Sequence, residues 1–148
     1  MGIFDSFDIN ASGLTAQRYR MDIISQNLAN ANTTRTADGT PYVRKVVTFT
    51  EKDSQTPFSK VLNSATDHYS GNGVKVSAES DDTWTPMNTV YEPSNPDADE
   101  NGYVTYPNVN TVTEMTNLID ASNSYQANAT AFTASKDIAS RGLQLGQQ

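Results

Sequence analysis

The stretch NPDADENGYVTYPN (95–108) carries the side chains best spaced for chemistry, and that chemistry would be calcium binding. Asp97, Asp99, Asn101 and Gly102 match the first, third, fifth and sixth positions of an EF-hand loop, which need oxygen ligands and a turn-forming glycine. The match then fails. The closing position needs a bidentate Glu and holds Asn108, while Pro93 and Pro96 forbid the entering helix. Asx-turns and a glycine turn explain the same residues without an ion, so no metal site is expected.

Other candidates are weaker. His68 is the only histidine and adjoins Asp67 in a polar stretch. With no second His and no cysteine it reads as a solvated side chain rather than a ligand or base. The carboxylate pairs Asp81–Asp82 and Asp99–Glu100 are sequence neighbours, which in a strand point to opposite faces. No catalytic residue and no cofactor is therefore expected. Trp84, Tyr42, Tyr91, Tyr103 and Tyr106 would suit a carbohydrate or peptide platform, but packing of a small sheet is the preferred reading. Arg18, Arg20, Arg35, Arg44 and Lys45 are too sparse for a nucleic-acid footprint. The net charge of −7 repels phosphates and anionic membrane surfaces alike.

The elements that hold these residues divide by composition. From Asp8 to Ala31 the apolar positions Ala11, Leu14, Met21, Ile24, Leu28 and Ala31 recur at steps of three, four or seven, as on one helical face. Phe7, Leu14, Met21 and Leu28 keep a seven-residue spacing, as a coiled-coil seam would, and Ser12 is a candidate cap. A second stripe runs through Met115, Leu118, Ser122, Tyr125, Ala129, Phe132, Ala139 and Leu143. No proline follows Pro107, so this helix can run unbroken from 109 to near Gly146.

Residues 33–108 hold all the prolines and most turn signals. YVRKVVTF (42–49), GVKVSAE (73–79) and TPMNTVYEP (85–93) read as strands, and the polar segment 50–72 as a loop. The expected architecture is α+β. Terminal helices (1–32 and 109–148) pair as an antiparallel coiled coil around a β-rich insertion (33–108). No run approaches the roughly 20 apolar residues that span a bilayer, and the first basic residue is Arg18, so neither a secretory signal nor a membrane insertion is expected.

One oddity remains. In SQNLANANTT (25–34), Asn27, Asn30 and Asn32 crowd the last turns of a helix, where Asn is a poor former. Between 109 and 148 the only charges are Glu114, Asp120, Lys136, Asp137 and Arg141. A long helix without charges lacks the usual protection against self-association.

LTAQRYRMDIISQNLANANTTRT (14–36) resembles the N-terminal signature of bacterial flagellar rod and hook proteins, Asn27-Leu28-Ala29-Asn30 supplying its N-L-A-N pattern. VYEPSNPDADENGYVTYPNVNTVTEM (90–115), ASNSYQANATA (121–131) and LQLG (143–146) resemble the protein C type of the flagellar basal-body rod family.

The resemblance implies a structural subunit of the proximal rod, with no enzymatic activity. It implies export through the flagellar type III apparatus without a cleaved signal, and a place in the basal body where the rod crosses the periplasm. Its partners would be other rod proteins and copies of itself. Leu14, Met21, Asn27, Leu28, Asn30, Met115, Leu118, Tyr125, Phe132, Ala139 and Leu143 would make the helix-packing and assembly contacts, the amides facing other helices. The terminal segments are long relative to the apolar surface they can bury alone, so they are expected to order on assembly. The alternative is a soluble acidic binding or adaptor module outside any filament.

Overall fold

The structure, a computed structural model, describes residues 3–52 and 72–145. The elements are α1 (Ile3–Ala29), β1 (Lys45–Glu51), β2 (Val74–Asp81), β3 (Asn88–Tyr91), β4 (Tyr103–Tyr106) and α2 (Thr111–Leu145). The class is α+β, as expected: two long helices and two two-stranded sheets. β1 pairs with β2, and backbone bonds from Lys52 N to Gly73 O (3.0 Å) and from Asp82 N to Arg44 O (2.7 Å) mark the antiparallel sense. β3 pairs antiparallel with β4, Val90 opposite Val104. Most of the polar loop read at 50–72, with Asp67 and His68, lies outside the described residues.

The proline-free run after Pro107 produces a single 35-residue helix, α2. Its start is fixed by Asn110, whose Oδ1 accepts from the amides of Val112 (3.0 Å) and Thr113 (3.2 Å). α1 begins earlier than the Ser12 cap suggested. Ser12 lies within the helix, donating to Ile9 O (2.7 Å) and accepting from Val74 N (3.0 Å). It fastens β2 rather than opening a helix. β4 was not expected as a strand, because the turn chemistry of 95–102 masked the short alternation of Tyr103–Tyr106.

The chain forms two compact units, each taking part of both helices. One holds the described residues of Met1–Tyr19, Thr48–Ser77 and Ala121–Gln148. Here Phe7 meets Phe132 edge to face at 5.1 Å, and a methyl added at Gly13 would stand 3.0 Å from the Asn128 amide. The contacts climb α1 as they descend α2, so within this unit the segments run antiparallel. Ala16 and Ala121 are its buried alanines.

Gly73 has φ +80° in this unit, and a Cβ there would collide with Ser12 Oγ. Gly39, in the other unit, has φ +78° and open space around it. Gly39→Ala should therefore cost about 1–2 kcal/mol, the backbone term alone. Gly73→Ala should cost measurably more, and urea unfolding of both variants checks this. Equal losses would mean that the Ser12 contact is unimportant.

The second unit holds Arg20–Val47 and Ala78–Asp120. Its buried apolar residues are Ile23, Ile24, Ala31, Tyr42, Val104 and Pro107. Full burial of a side chain such as Ile23 or Val104 is worth about 1.5–3 kcal/mol. The core is small, and three polar residues share it: Asn27, Asn108 and Glu114.

The helical stripes are displaced in part from those expected. On α1 the seam residues Phe7, Leu14, Met21 and Leu28 are only half-buried and Ala16, Ile23 and Asn27 are buried, but Ile24 of the expected stripe is buried too, as is its last member, Ala31, just beyond the helix end. On α2, Leu118, Tyr125, Phe132 and Ala139 are likewise half-buried, but Met115 and Leu143 are exposed. Met115 loses the inward place to its neighbour Glu114, because the carboxylate has buried partners and the thioether has none. Nor is the aromatic set one core. Tyr42 is buried, Tyr91 and Tyr103 form an exposed edge-to-face pair at 5.2 Å, and Trp84 is 94% exposed.

Candidate functional site

All the groups of the polar cluster described next belong to the second unit. Asn27, at the end of α1, is 1% exposed and uses its whole amide. Nδ2 donates to Lys45 O (2.9 Å) and to Glu114 Oε2 (3.1 Å). Oδ1 accepts from the Tyr42 hydroxyl (2.9 Å) and from Lys45 N (2.9 Å). Two donors and two acceptor positions are all an amide has. Leucine could supply none of these bonds, and aspartate could not donate to a carboxylate. Burial raises the Tyr42 pKa, keeping that phenol a donor.

Glu114, also 1% exposed, sits in the first turn of α2, where the helix dipole favours an anion. Its Oε1 accepts from Arg44 Nε (3.0 Å) and Nη2 (2.8 Å) and from Asn117 Nδ2 (3.3 Å). Arg44 also donates from Nη1 to Asp82 Oδ2 (3.2 Å). Burial opposes the charge on Arg44, but the bonds to Glu114 and Asp82 outweigh it and raise the pKa. The Asp82 carboxyl is held below its usual range, chiefly by the Thr85 hydroxyl and amide. Asn108 completes the cluster: Oδ1 accepts from Arg44 N (2.8 Å), and Nδ2 donates to Asp82 O (2.7 Å) and Thr85 O (3.1 Å).

This arrangement is not catalytic. Every carboxylate in it is bound to a cation or an amide, and it ties the end of α1, the start of β1, the turn after β2 and the first turn of α2 into one joint. Asn30, the other amide of the motif, closes its own helix end: Nδ2 donates to Gln26 O (2.9 Å), and Oδ1 accepts from Thr33 Oγ1 (3.2 Å). Asn27 reaches the other helix of the same chain through Glu114, whereas Asn30 bonds at its own helix end.

The turn at 95–102 is also fully described. Asp99 Oδ1 accepts from the amides of Asn101 and Tyr103 (both 2.8 Å), and Gly102 turns with φ +81°. Asp97 accepts from Thr34 Oγ1 (2.7 Å) and lies 3.8 Å from Arg35 Nη1. Asn108, the would-be closing ligand, is committed elsewhere. Calorimetric titration should therefore give no micromolar calcium binding, and Asp97→Asn should not change the trace. A saturable micromolar isotherm would contradict this.

The outer face of α2 is equally distinctive. Val112, Met115 and Ile119 share one face and are 72%, 56% and 61% exposed. In the first unit's part of α2, Asn123, Gln126, Thr130 and Thr133 are likewise exposed and uncharged. The hydroxyls of Thr116, Thr130 and Thr133 donate back to the carbonyls of Val112 (3.0 Å), Gln126 (2.9 Å) and Ala129 (3.0 Å). What the threonines offer outward is methyl groups.

Two family models match the ends of the chain: "Flagella basal body rod protein" over residues 7–35 and "Flagellar basal body rod FlgEFG protein C-terminal" over residues 100–145. Flagellar basal-body rod protein FlgC of Bacillus subtilis is 43% identical over 99% of this chain and 100% of its own length. Its namesake in Borreliella burgdorferi is 41% identical over 93% of each chain, and that of Escherichia coli O157:H7 is 42% identical over 99% of this chain and all of its own. The chain belongs to the FlgC family of flagellar basal-body rod proteins.

FlgC-family membership places the protein among structural rod components of the basal body, not among enzymes. The two matched segments contain the two ends of the joint, Asn27 in one and Glu114 in the other. Sequence reading found Asn27 but missed Arg44, Asp82, Asn108 and Glu114. The available signal was Glu114 itself, one of few charges on an otherwise neutral helix.

Proposed function

We propose that this rod subunit belongs to the proximal rod, packing by its helices against other rod proteins and copies of itself. In that assembly it transmits torque and helps to surround the export channel. The observation that carries the reading is the exposed apolar face of α2 at Val112, Met115 and Ile119, in a chain whose relatives are named rod proteins. A helix left like this in solution invites association. The terminal helices form the helical core as an antiparallel coiled coil, 33–108 being the β-rich insertion. Leu14, Met21, Leu28, Leu118, Tyr125, Phe132 and Ala139 pack within it, with Met115 and Leu143 left for neighbours. In the free subunit the Asn27–Glu114 joint holds the helix segments next to it, and the remainder of both helices orders fully only on assembly. Export proceeds through the flagellar type III apparatus without cleavage, and the rod stands in the periplasmic space. No nucleic acid, membrane insertion, cofactor or metal enters this function.

The test is purification of hook–basal bodies from cells expressing a cysteine variant at Ile119, followed by mild oxidative or bifunctional cross-linking. The chain should co-purify at its full length and cross-link through position 119 to a rod subunit. Recovery only in soluble fractions, or a chain shortened at its N-terminus, would overturn the reading.

A further inference from the structure

The contacts of α2 leave the β3–β4 ribbon of the second unit unused. All four residues of β3 are exposed, and the strand forms one edge of its two-stranded sheet. The pairing decides what that edge offers. Glu92 N donates to Gly102 O (2.9 Å), so with Tyr91 opposite Tyr103 the hydrogen-bonded pairs are Val90–Val104 and Asn88–Tyr106. The N–H and C=O groups of Thr89 and Tyr91 therefore point away from β4, and no hydrogen bond reaches them from the described residues. β4 differs. At Tyr103 the outward N–H is taken by Asp99 Oδ1 (2.8 Å), and the C=O accepts from Asp99 N (2.9 Å). The ribbon's own turn covers β4 there and leaves β3 open.

An open row of ladder donors and acceptors is matched by an extended peptide backbone, which adds as a third strand. Pro86 and Pro93 bracket the edge, so it takes one short segment. A fixed aromatic ring stands beside it. Tyr91 is 62% exposed, yet Tyr103 holds it edge to face at 5.2 Å, and a Cβ at Gly102 would come within 2.9 Å of its ring. Thr89 and Tyr91 share one face of the ribbon, so the added residue opposite Tyr91 lies against that ring. Tyrosine faces attract cations, Glu92 follows next in the chain, and the net charge of −7 acts in the same sense. Asn88 also lines one open cleft with Asn110 and Thr111, so the edge begins close to the start of the exposed α2 face.

We propose that β3 is completed by a short extended segment of a neighbouring rod subunit, added as a third strand with a Lys or Arg opposite Tyr91. The neighbour as source rests on the rod reading and on the closeness of the edge to the α2 face. The strand and its cation follow from the edge alone: only backbone matches the groups of Thr89 and Tyr91, and only a positive side chain gains from both the ring and Glu92.

Isotope-labelled full chain, followed by amide NMR, is titrated with the peptide acetyl-Thr-Lys-Val-Lys-Thr-amide, which reads alike in either strand direction. The Thr89 and Tyr91 amide signals should move downfield and saturate with a millimolar Kd. The same peptide N-methylated at both lysines should leave them in place, and acetyl-Thr-Glu-Val-Glu-Thr-amide should bind more weakly. Thr89→Pro removes only an outward N–H, so the β3–β4 cross-strand signals should persist while peptide binding is lost. Tyr91→Leu keeps the edge and should weaken binding about two- to fivefold. No movement of the two signals, or equal movement with the N-methylated or glutamate peptide, would overturn the strand site. In cells, Thr89→Pro should lower recovery of the chain in purified basal bodies and slow swimming. Peptide binding by the parent chain, with normal recovery and swimming of Thr89→Pro, would overturn the neighbouring subunit as the source.

Discussion

Asn27→Asp should destabilise the second unit by about 3–5 kcal/mol at neutral pH, although it exchanges one NH2 group for an oxygen. The new carboxylate would stand where Nδ2 now lies 3.1 Å from Glu114 Oε2, and Lys45 O would lose its donor. Shape is conserved, so the loss reports electrostatics and hydrogen bonding rather than a cavity. The pH dependence gives a second check. Burial beside a like charge raises the folded-state pKa of an aspartate above its unfolded value near 4. The penalty is therefore fully present above that raised pKa and shrinks as pH falls towards the unfolded value. Urea unfolding of parent and variant at matched pH should show the two curves converging on acidification. A constant difference, or a loss below about 1 kcal/mol, would mean that the joint is not the keystone of the unit.

Ile119→Lys should act in the opposite way. Position 119 is 61% exposed, so the free subunit should keep its stability within about 0.5 kcal/mol. In the rod the ammonium would be buried without a partner, which costs several kcal/mol per contact. Incorporation into purified basal bodies should fall at least about tenfold, a factor that only 1.4 kcal/mol produces, and swimming should fail with it. Asn123→Lys, further along α2, probes how far the contact extends. Normal motility of Ile119→Lys would show that this face meets no neighbour.

The sequence made the helices legible because their two signals, periodic apolar residues and a proline-free run, are local. The boundaries of α2 fell within two residues of expectation at its start for that reason. The joint was not legible. Pattern reading places Met115 inside and Glu114 outside, and only the arrival of Arg44 from β1's start and Asn27 from α1 reverses that order. Those partners lie 70 and 87 residues away in the chain, beyond any periodicity. Ser12 misled because a cap and a mid-helix clasp use the same hydroxyl, and the strand that it holds is 62 residues distant. Trp84 misled because tryptophan is usually packed. Here it is 94% exposed, on a turn whose backbone Asp82 braces.

The central claim, that this chain is a structural rod subunit whose bare α2 face is completed by neighbours, is tested most directly by an electron cryomicroscopy map of the intact basal body. The chain should be traceable in the rod with Val112, Met115 and Ile119 covered by a neighbouring subunit's helix. A rod whose density is accounted for without this chain, or one that contains it with those three side chains facing solvent, would contradict the account.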